Sequence, residues 1–114
     1  MSSCLFCQII AKKIPSQIVY EDDQLVAFKD INPVAPTHIL LIPRKHLSGL
    51  NEVTDADRDL LGYIQIQAAR LAQQAGIAEN GYRLVTNCGV EGGQTSEHLH
   101  YHLLGGRSMQ WPPG

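Results

Sequence analysis

The sequence predicts an α+β fold: an antiparallel β-sheet with one long helix on one face and a short helix at the N-terminus. Three observations lead there. Several short apolar runs of strand length, bounded by turn residues, flank one long stretch with helical periodicity. The elements follow the order helix, two or three strands, helix, two strands. The 114 residues carry no internal linker, repeat or low-complexity stretch, so they read as one domain over 1–114, with a tail at about 107–114.

The first helix is expected from about Ser3 to Lys13. Ser2 or Ser3 caps its start, Lys12 and Lys13 suit its end, and Pro15 stops it. Gln17 to Glu21 and Leu25 to Lys29 read as strands, with Asp22, Asp23 and Gln24 at a hairpin turn. A loop with Pro33 and Pro36 leads to Thr37–Ile42, a buried strand closed by Pro43. The long helix runs from about Asp55 to Ala75. Thr54 or Asp55 caps it, acidic residues fill its first turn, and Gly76 stops it. Leu60, Leu61, Ile64, Ala68, Leu71, Ala72 and Ala75 fall on one stripe. Tyr63 and Ile66 fall off it, which reads either as a second buried surface such as a subunit contact or as scattered exposed apolar groups. Tyr82–Asn87 and Leu99–Leu104 are the last two strands.

Composition narrows the function. Apolar residues make up 44% and charged residues 18%, the balance of a globular chain. Nine basic against eleven acidic residues give a net charge of −2, with no basic block. Such a chain does not grip extended nucleic acid by its phosphates, although a small anion needs only a local site. The apolar runs are too short to span a bilayer, and the start lacks the pattern of a signal peptide. Three cysteines cannot all pair within one chain, which fits a reducing, cytoplasmic compartment.

The chemistry concentrates in His98-Leu99-His100-Tyr101-His102-Leu103-Leu104. Alternate residues of a strand share a face, so the three imidazoles point one way. Same-face neighbours are then ~7 Å apart and the outer pair ~13 Å apart. One phosphate reaches His100 and His102 but hardly all three, so His98 has a different task. Three readings compete. Imidazoles on a strand ligate zinc or iron, but Glu97 alternates to the opposite face and supplies no extra ligand. Buried structural histidines are the second reading, costly because each ring needs partners. The third is nucleophilic attack on phosphorus by a neutral imidazole, with neighbouring rings steadying charge or moving protons. Gly89, Gly92 and Gly93 before the run and Gly105-Gly106 after it favour the third, because glycines let backbone N–H groups approach an anion. Asn87 and Thr95 add neutral polar groups, and His38 on another strand brings a fourth ring.

The run matches the His-φ-His-φ-His-φ-φ motif, with Tyr101 as an apolar position, and the sequence here resembles the histidine-triad nucleotide-binding family. The likeness extends through Phe6-Cys7-Gln8-Ile9-Ile10, Phe28-Lys29-Asp30-Ile31, Ala35-Pro36-Thr37-His38, Ile42-Pro43-Arg44-Lys45-His46, Gly92-Gly93-Gln94 and Trp111-Pro112-Pro113-Gly114. It is closest in kind to the purine nucleoside phosphoramidase branch. The resemblance implies a homodimer whose sheets join, and hydrolysis of an adenosine or guanosine 5′-phosphoramidate to nucleotide and amine. It implies His100 as nucleophile, His102 and His38 on phosphate oxygens with Asn87 and backbone near Gly93, and His98 orienting the motif through a backbone hydrogen bond. Thr95 stands at the family's usual serine, which bonds the leaving group. Ser96 offers a second hydroxyl there. Asp30 would hold the ribose, Leu5, Phe6, Ile9, Phe28 and Ile31 would clasp the base, and Trp111 would reach the partner's site. Catalysis on this reading requires no metal. A nucleotide-binding regulatory module with little turnover is the alternative, separated from the enzyme by replacing His100.

Cys4-x-x-Cys7 is half of a metal site and needs two nitrogen ligands, for which His46 and His98 are the candidates. Some members of the resembled family use such a set for structural zinc. The other reading is two partly buried thiols beside a surface histidine. Cys88 has no obvious partner.

Overall fold

The computed structural model describes residues 4–114. In chain order the elements are α1 (Leu5–Ile10), β1 (Ile18–Glu21), β2 (Leu25–Lys29), β3 (Thr37–Pro43), α2 (Arg58–Gln74), β4 (Tyr82–Val85) and β5 (Tyr101–Gly105). The strands form one antiparallel sheet in the order β1-β2-β3-β5-β4. The predicted α+β class is the observed one. No helix among the described residues is long and apolar enough to cross a membrane.

Strand alternation divides the core in two. Ile39 and Leu41 of β3 and Tyr101 and Leu103 of β5 join Ile64, Ala68, Leu71 and Ala72 of α2 in one cluster. Leu40 and Ile42 of β3 join Val26, Phe28 and the Phe6 and Ile9 side chains of α1 in the other. The sheet is thus covered on both faces, where the sequence predicted one covered face. Two large buried side chains let a helix of six residues do this, each contributing about 2 kcal/mol on burial.

Helix α1 differs from expectation at both ends. The expected Ser2 or Ser3 cap lies outside the described residues. Cys4 is the N-cap, its Sγ accepting the Cys7 N–H at 3.3 Å. The helix does not reach Lys13, because Lys12 turns into the left-handed region at φ 60°. Lys12 N–H then bonds the Ile9 carbonyl and Lys13 N–H the Gln8 carbonyl, closing the end without a glycine.

Helix α2 also starts later than predicted. Residues Asp55–Asp57 form a 3₁₀ turn, under a capping box of Thr54 and Asp57. Ile64, Ala68, Leu71 and Ala72 are buried as the stripe requires, but Ala75 is exposed at the C-cap and Gln67 is buried instead. Tyr63 contacts its own chain: its hydroxyl donates to Asp22, and Gln67 donates to it at 2.9 Å. Ile66 is half-exposed.

Strand β5 begins at Tyr101 rather than Leu99, so His98 and His100 precede it. The alternation persists regardless. Leu99, Tyr101 and Leu103 lie in the α2 core, while the Phe6 ring lies 6.0 Å from the His98 ring and 5.1 Å from the His100 ring. Strand β4 stops at Val85, and the Thr86 hydroxyl donates to the His100 carbonyl at 2.8 Å.

Candidate functional site

Backbone groups fix the protons of the four inner imidazoles. The Val34 N–H donates to His38 Nδ1 at 3.1 Å, so the His38 proton sits on Nε2. His38 Nε2 then donates to His102 Nδ1 at 2.9 Å, which leaves the His102 proton on Nε2. His100 Nδ1 donates to the His98 carbonyl at 2.7 Å, leaving the Nε2 lone pair of His100 unspent. His98 Nε2 donates to the Pro43 carbonyl at 2.8 Å, so its Nδ1 carries a lone pair. No buried side-chain nitrogen or oxygen among the described residues lacks a partner. His100 Nε2 has no protein partner there, so solvent reaches it.

The rings of His100 and His102 lie 5.0 Å apart, and those of His38 and His102 5.2 Å. Burial, followed by the neighbouring rings of His100 and His38, pushes His102 down to about 4 against the pull of Asp30. Burial also holds His38 below the usual imidazole range, again opposed by Asp30. His98 is lowered chiefly by burial. These three rings are neutral at pH 7.

A cavity of about 500 Å³ opens beside them. Of the predicted site residues, Leu5, Phe6, Ile9, Phe28, Asp30, Ile31, His38, Thr95 and His102 line it, with Ser96. Its apolar end is set by α1 and β2, and its polar end by the histidines and hydroxyls. Asp30 is already engaged: Oδ1 accepts the Asn32 N–H at 2.8 Å and Oδ2 lies 3.4 Å from His38 Nε2. Five predicted catalytic or nucleotide-binding residues do not line it. His98 and His100 are outside the lining, the His100 ring lying 5.1 Å from that of Phe6, which is on the wall. Asn87 follows the Thr86 tether, Gly93 sits in the turn at φ 77°, and Trp111 is exposed with the Arg83 guanidinium 5.8 Å from its ring. Sequence reasoning missed Ser16, Lys29, Asn32 and Leu40 on the wall. Lys29 and Asn32 adjoin predicted positions and Leu40 shares a strand face with His38, a signal that was present. The Val34 N–H and Pro43 carbonyl carry no side-chain identity and left none.

Two clusters bring potential metal ligands within 4.8 Å of one another. In the first, Cys4 Sγ lies 3.4 Å and Cys7 Sγ 3.5 Å from His98 Nδ1, and Cys7 Sγ lies 3.2 Å from His46 Nδ1. None of the cysteines forms a disulfide. Bond lengths of ~2.3 Å to sulfur and ~2.0 Å to nitrogen around a tetrahedral ion give ligand separations close to these. The His98 tautomer also fits: Nδ1 faces the thiols while Nε2–H is braced by a carbonyl, the usual outer support of a metal-bound imidazole. The second cluster, Asp30, His38 and His102, does not fit. A metal on His38 Nε2 needs the ring proton on Nδ1, where it would face the Val34 N–H. In that trio the ring protons are already placed by the Val34 N–H and by the bond from His38 to His102.

The sequence matches the HIT domain over residues 11–109. The 14 kDa zinc-binding protein of Zea mays is 50% identical over 115 residues, covering 99% of this chain and 89% of that protein. Adenylylsulfatase HINT1 of Arabidopsis thaliana is 49% identical over 115 residues, covering 99% and 78%. The crystal structure of a HIT family hydrolase from Legionella pneumophila superposes with a TM-score of 0.97 at 54% identity, covering 98% of this chain and 100% of that one. The chain belongs to the histidine-triad nucleotide-binding family.

Proposed function

We propose that the protein is a hydrolase that cleaves the P–N bond of purine nucleoside 5′-phosphoramidates through a nucleotide held covalently on His100. One observation carries this reading. The His100 ring spends its proton on the His98 carbonyl and keeps the Nε2 lone pair, reached by solvent, beside the proton-bearing Nε2 of His102. The similarity to a HIT family hydrolase and to an adenylylsulfatase supports hydrolysis at a nucleotide.

In the first step His100 Nε2 attacks the α-phosphorus. The new N–P bond forms as the bond to the amine breaks. The departing nitrogen keeps the bonding pair and takes a proton drawn from solvent through Thr95 and His102. His102 Nε2–H steadies a phosphate oxygen, with His38 holding that tautomer from behind rather than touching phosphate as the resemblance implies, and with Asn87 and backbone near Gly93 assisting. Water then attacks phosphorus, the pair of the His100–phosphorus bond returns to Nε2, and the proton released by water leaves by the same route. Leu5, Phe6, Ile9, Phe28 and Ile31 hold the adenine or guanine base, and the Asp30 carboxylate takes the ribose hydroxyls. His98 orients the run through its carbonyl.

The reaction needs no metal. Zinc held by Cys4, Cys7, His46 and His98 would be structural, cross-linking the start of α1 to the segment before β5. The similarity to a zinc-binding protein supports that role. Two chains join their sheets across an edge strand, and the exposed Trp111 of each reaches the other's site. The whole chain forms one domain and works in the cytoplasm.

Intact-protein mass after rapid mixing with adenosine 5′-phosphoramidate tests the reading. The wild type gains one adenylyl group on His100. His100→Ala gains none and loses hydrolysis by at least about a thousandfold, while still binding AMP. Hydrolysis surviving in His100→Ala, or a wild type that binds AMP without turnover, would overturn it.

A further inference from the structure

The segment that carries Thr95 and Ser96 belongs to no regular element, because β4 has ended at Val85 and β5 has not begun. Yet both residues line the cavity. What holds them is the Gln94 carboxamide. Its Oε1 accepts the Gly89 N–H at 2.9 Å. Its Nε2 donates to the Ser48 carbonyl at 2.6 Å and the Ser96 carbonyl at 2.9 Å. Both N–H groups are thus used, which also fixes which end of the amide is which. One side chain ties the glycine turn, the loop after His46 and the hydroxyl-bearing segment together.

The surroundings are shaped for it. The turn is too tight for a side chain at Gly92, whose added Cβ would run into the Cys88 carbonyl oxygen. The turn closes with the Gln94 N–H on the Gly89 carbonyl at 3.1 Å. Gly49 leaves room for the amide: a Cβ there would sit 3.1 Å from Oε1 and 3.2 Å from Nε2. Its backbone is extended, so only space demands glycine. A second bond, from the Leu99 N–H to the Leu47 carbonyl at 2.6 Å, continues the same stitch.

We infer that Gln94 is a positioning residue for departure of the leaving group, holding the Thr95 and Ser96 hydroxyls against the cavity. The inference rests on the phosphoramidase reading above. An amine leaves phosphorus only as it gains a proton, so its exit depends on a hydroxyl held at hydrogen-bond distance. A leaving group that departs as a stable anion does not. Attack by His100 depends on neither, because His100 is held by the His98 and Thr86 bonds.

Gln94→Glu keeps the acceptor for Gly89 and the side-chain size but removes both donors. The test compares wild type and variant on two adenosine 5′-monophosphate derivatives, an alkyl phosphoramidate and a p-nitrophenyl ester. With the phosphoramidate kcat falls at least about tenfold, KM stays within about threefold, and AMP binding is unchanged. With the nitrophenyl ester the first-turnover release of nitrophenolate, which precedes the shared water step, stays within about threefold. Gly49→Ala displaces the amide without altering it and shows the same selective loss, smaller in size. It decides the matter if Gln94→Glu does not fold. Equal losses on both substrates, or none on the phosphoramidate, would overturn the role of Gln94 alone. A wild type that forms no nucleotidyl-His100 overturns this inference together with the reading beneath it.

Discussion

At His38 a main-chain N–H selects a side-chain tautomer, and the choice passes through His102 to the cavity. The alternation of the histidine run was legible in the sequence, and with it which rings share a face. The positions of the protons were not. They depend on Val34, Pro43 and the His98 carbonyl, which the fold brings close from separate segments. The pH behaviour follows. His102 titrates at about 4 in the folded chain and ~6.5 unfolded, and His38 is lowered as well. Between those values the unfolded chain binds more protons. Stability from these rings is therefore complete above ~6.5 and declines as the pH falls toward about 4. Thermal unfolding at pH 5 should have a midpoint lower than at pH 7 by about 5 °C, the effect of about 1 kcal/mol in a domain of this size. His102→Gln should narrow that gap, and a gap of unchanged width would refute the assignment.

Among the elements, the β1–β2 hairpin and α2 are joined by one carboxylate. Asp22 Oδ1 accepts the N–H groups of Gln24 and Leu25 at 2.8 and 2.9 Å, and Oδ2 accepts the hydroxyls of Tyr20, at 2.7 Å, and Tyr63. Burial raises this carboxyl, but those four bonds outweigh it and bring it to about 2. Asp22→Ala leaves two hydroxyls and two amides without their acceptor. We expect it to cost about 2 kcal/mol in urea unfolding, with kcat unchanged because the latch lies outside the cavity. A loss below about 0.5 kcal/mol would show that water replaces the carboxylate. The sequence placed Asp22 in a turn, and its composition said nothing of Tyr63. Apolar spacing located the long helix, apolar runs between turn residues located the five strands, and cap and stop residues located the short helix, signals that survive any exact boundary. The boundaries themselves moved where local geometry decided. Lys12 took a left-handed conformation usual for glycine, and the histidine run held its alternation for three residues before joining the ladder.

For the molecule as a whole, the two proposals of zinc and of a second chain meet in one measurement. Native mass spectrometry should give twice the 12.6 kDa chain mass with two zinc ions. Removing the metal should lower the melting temperature by about 10 °C, while turnover at 25 °C persists in EDTA. A metal-free single chain would defeat both proposals, and activity abolished by the chelator would defeat a purely structural role. The two ends of the cavity are made of different material. Phe28, His38, Leu40 and His102 sit on strands that are paired on both sides within the sheet, whereas Thr95 and Ser96 ride a loop tied down by a few hydrogen bonds. Drift in sequence is tolerated in the loop and punished in the strands. Descendants of such a chain can therefore trade one departing group for another while their grip on the nucleotide stays as it was.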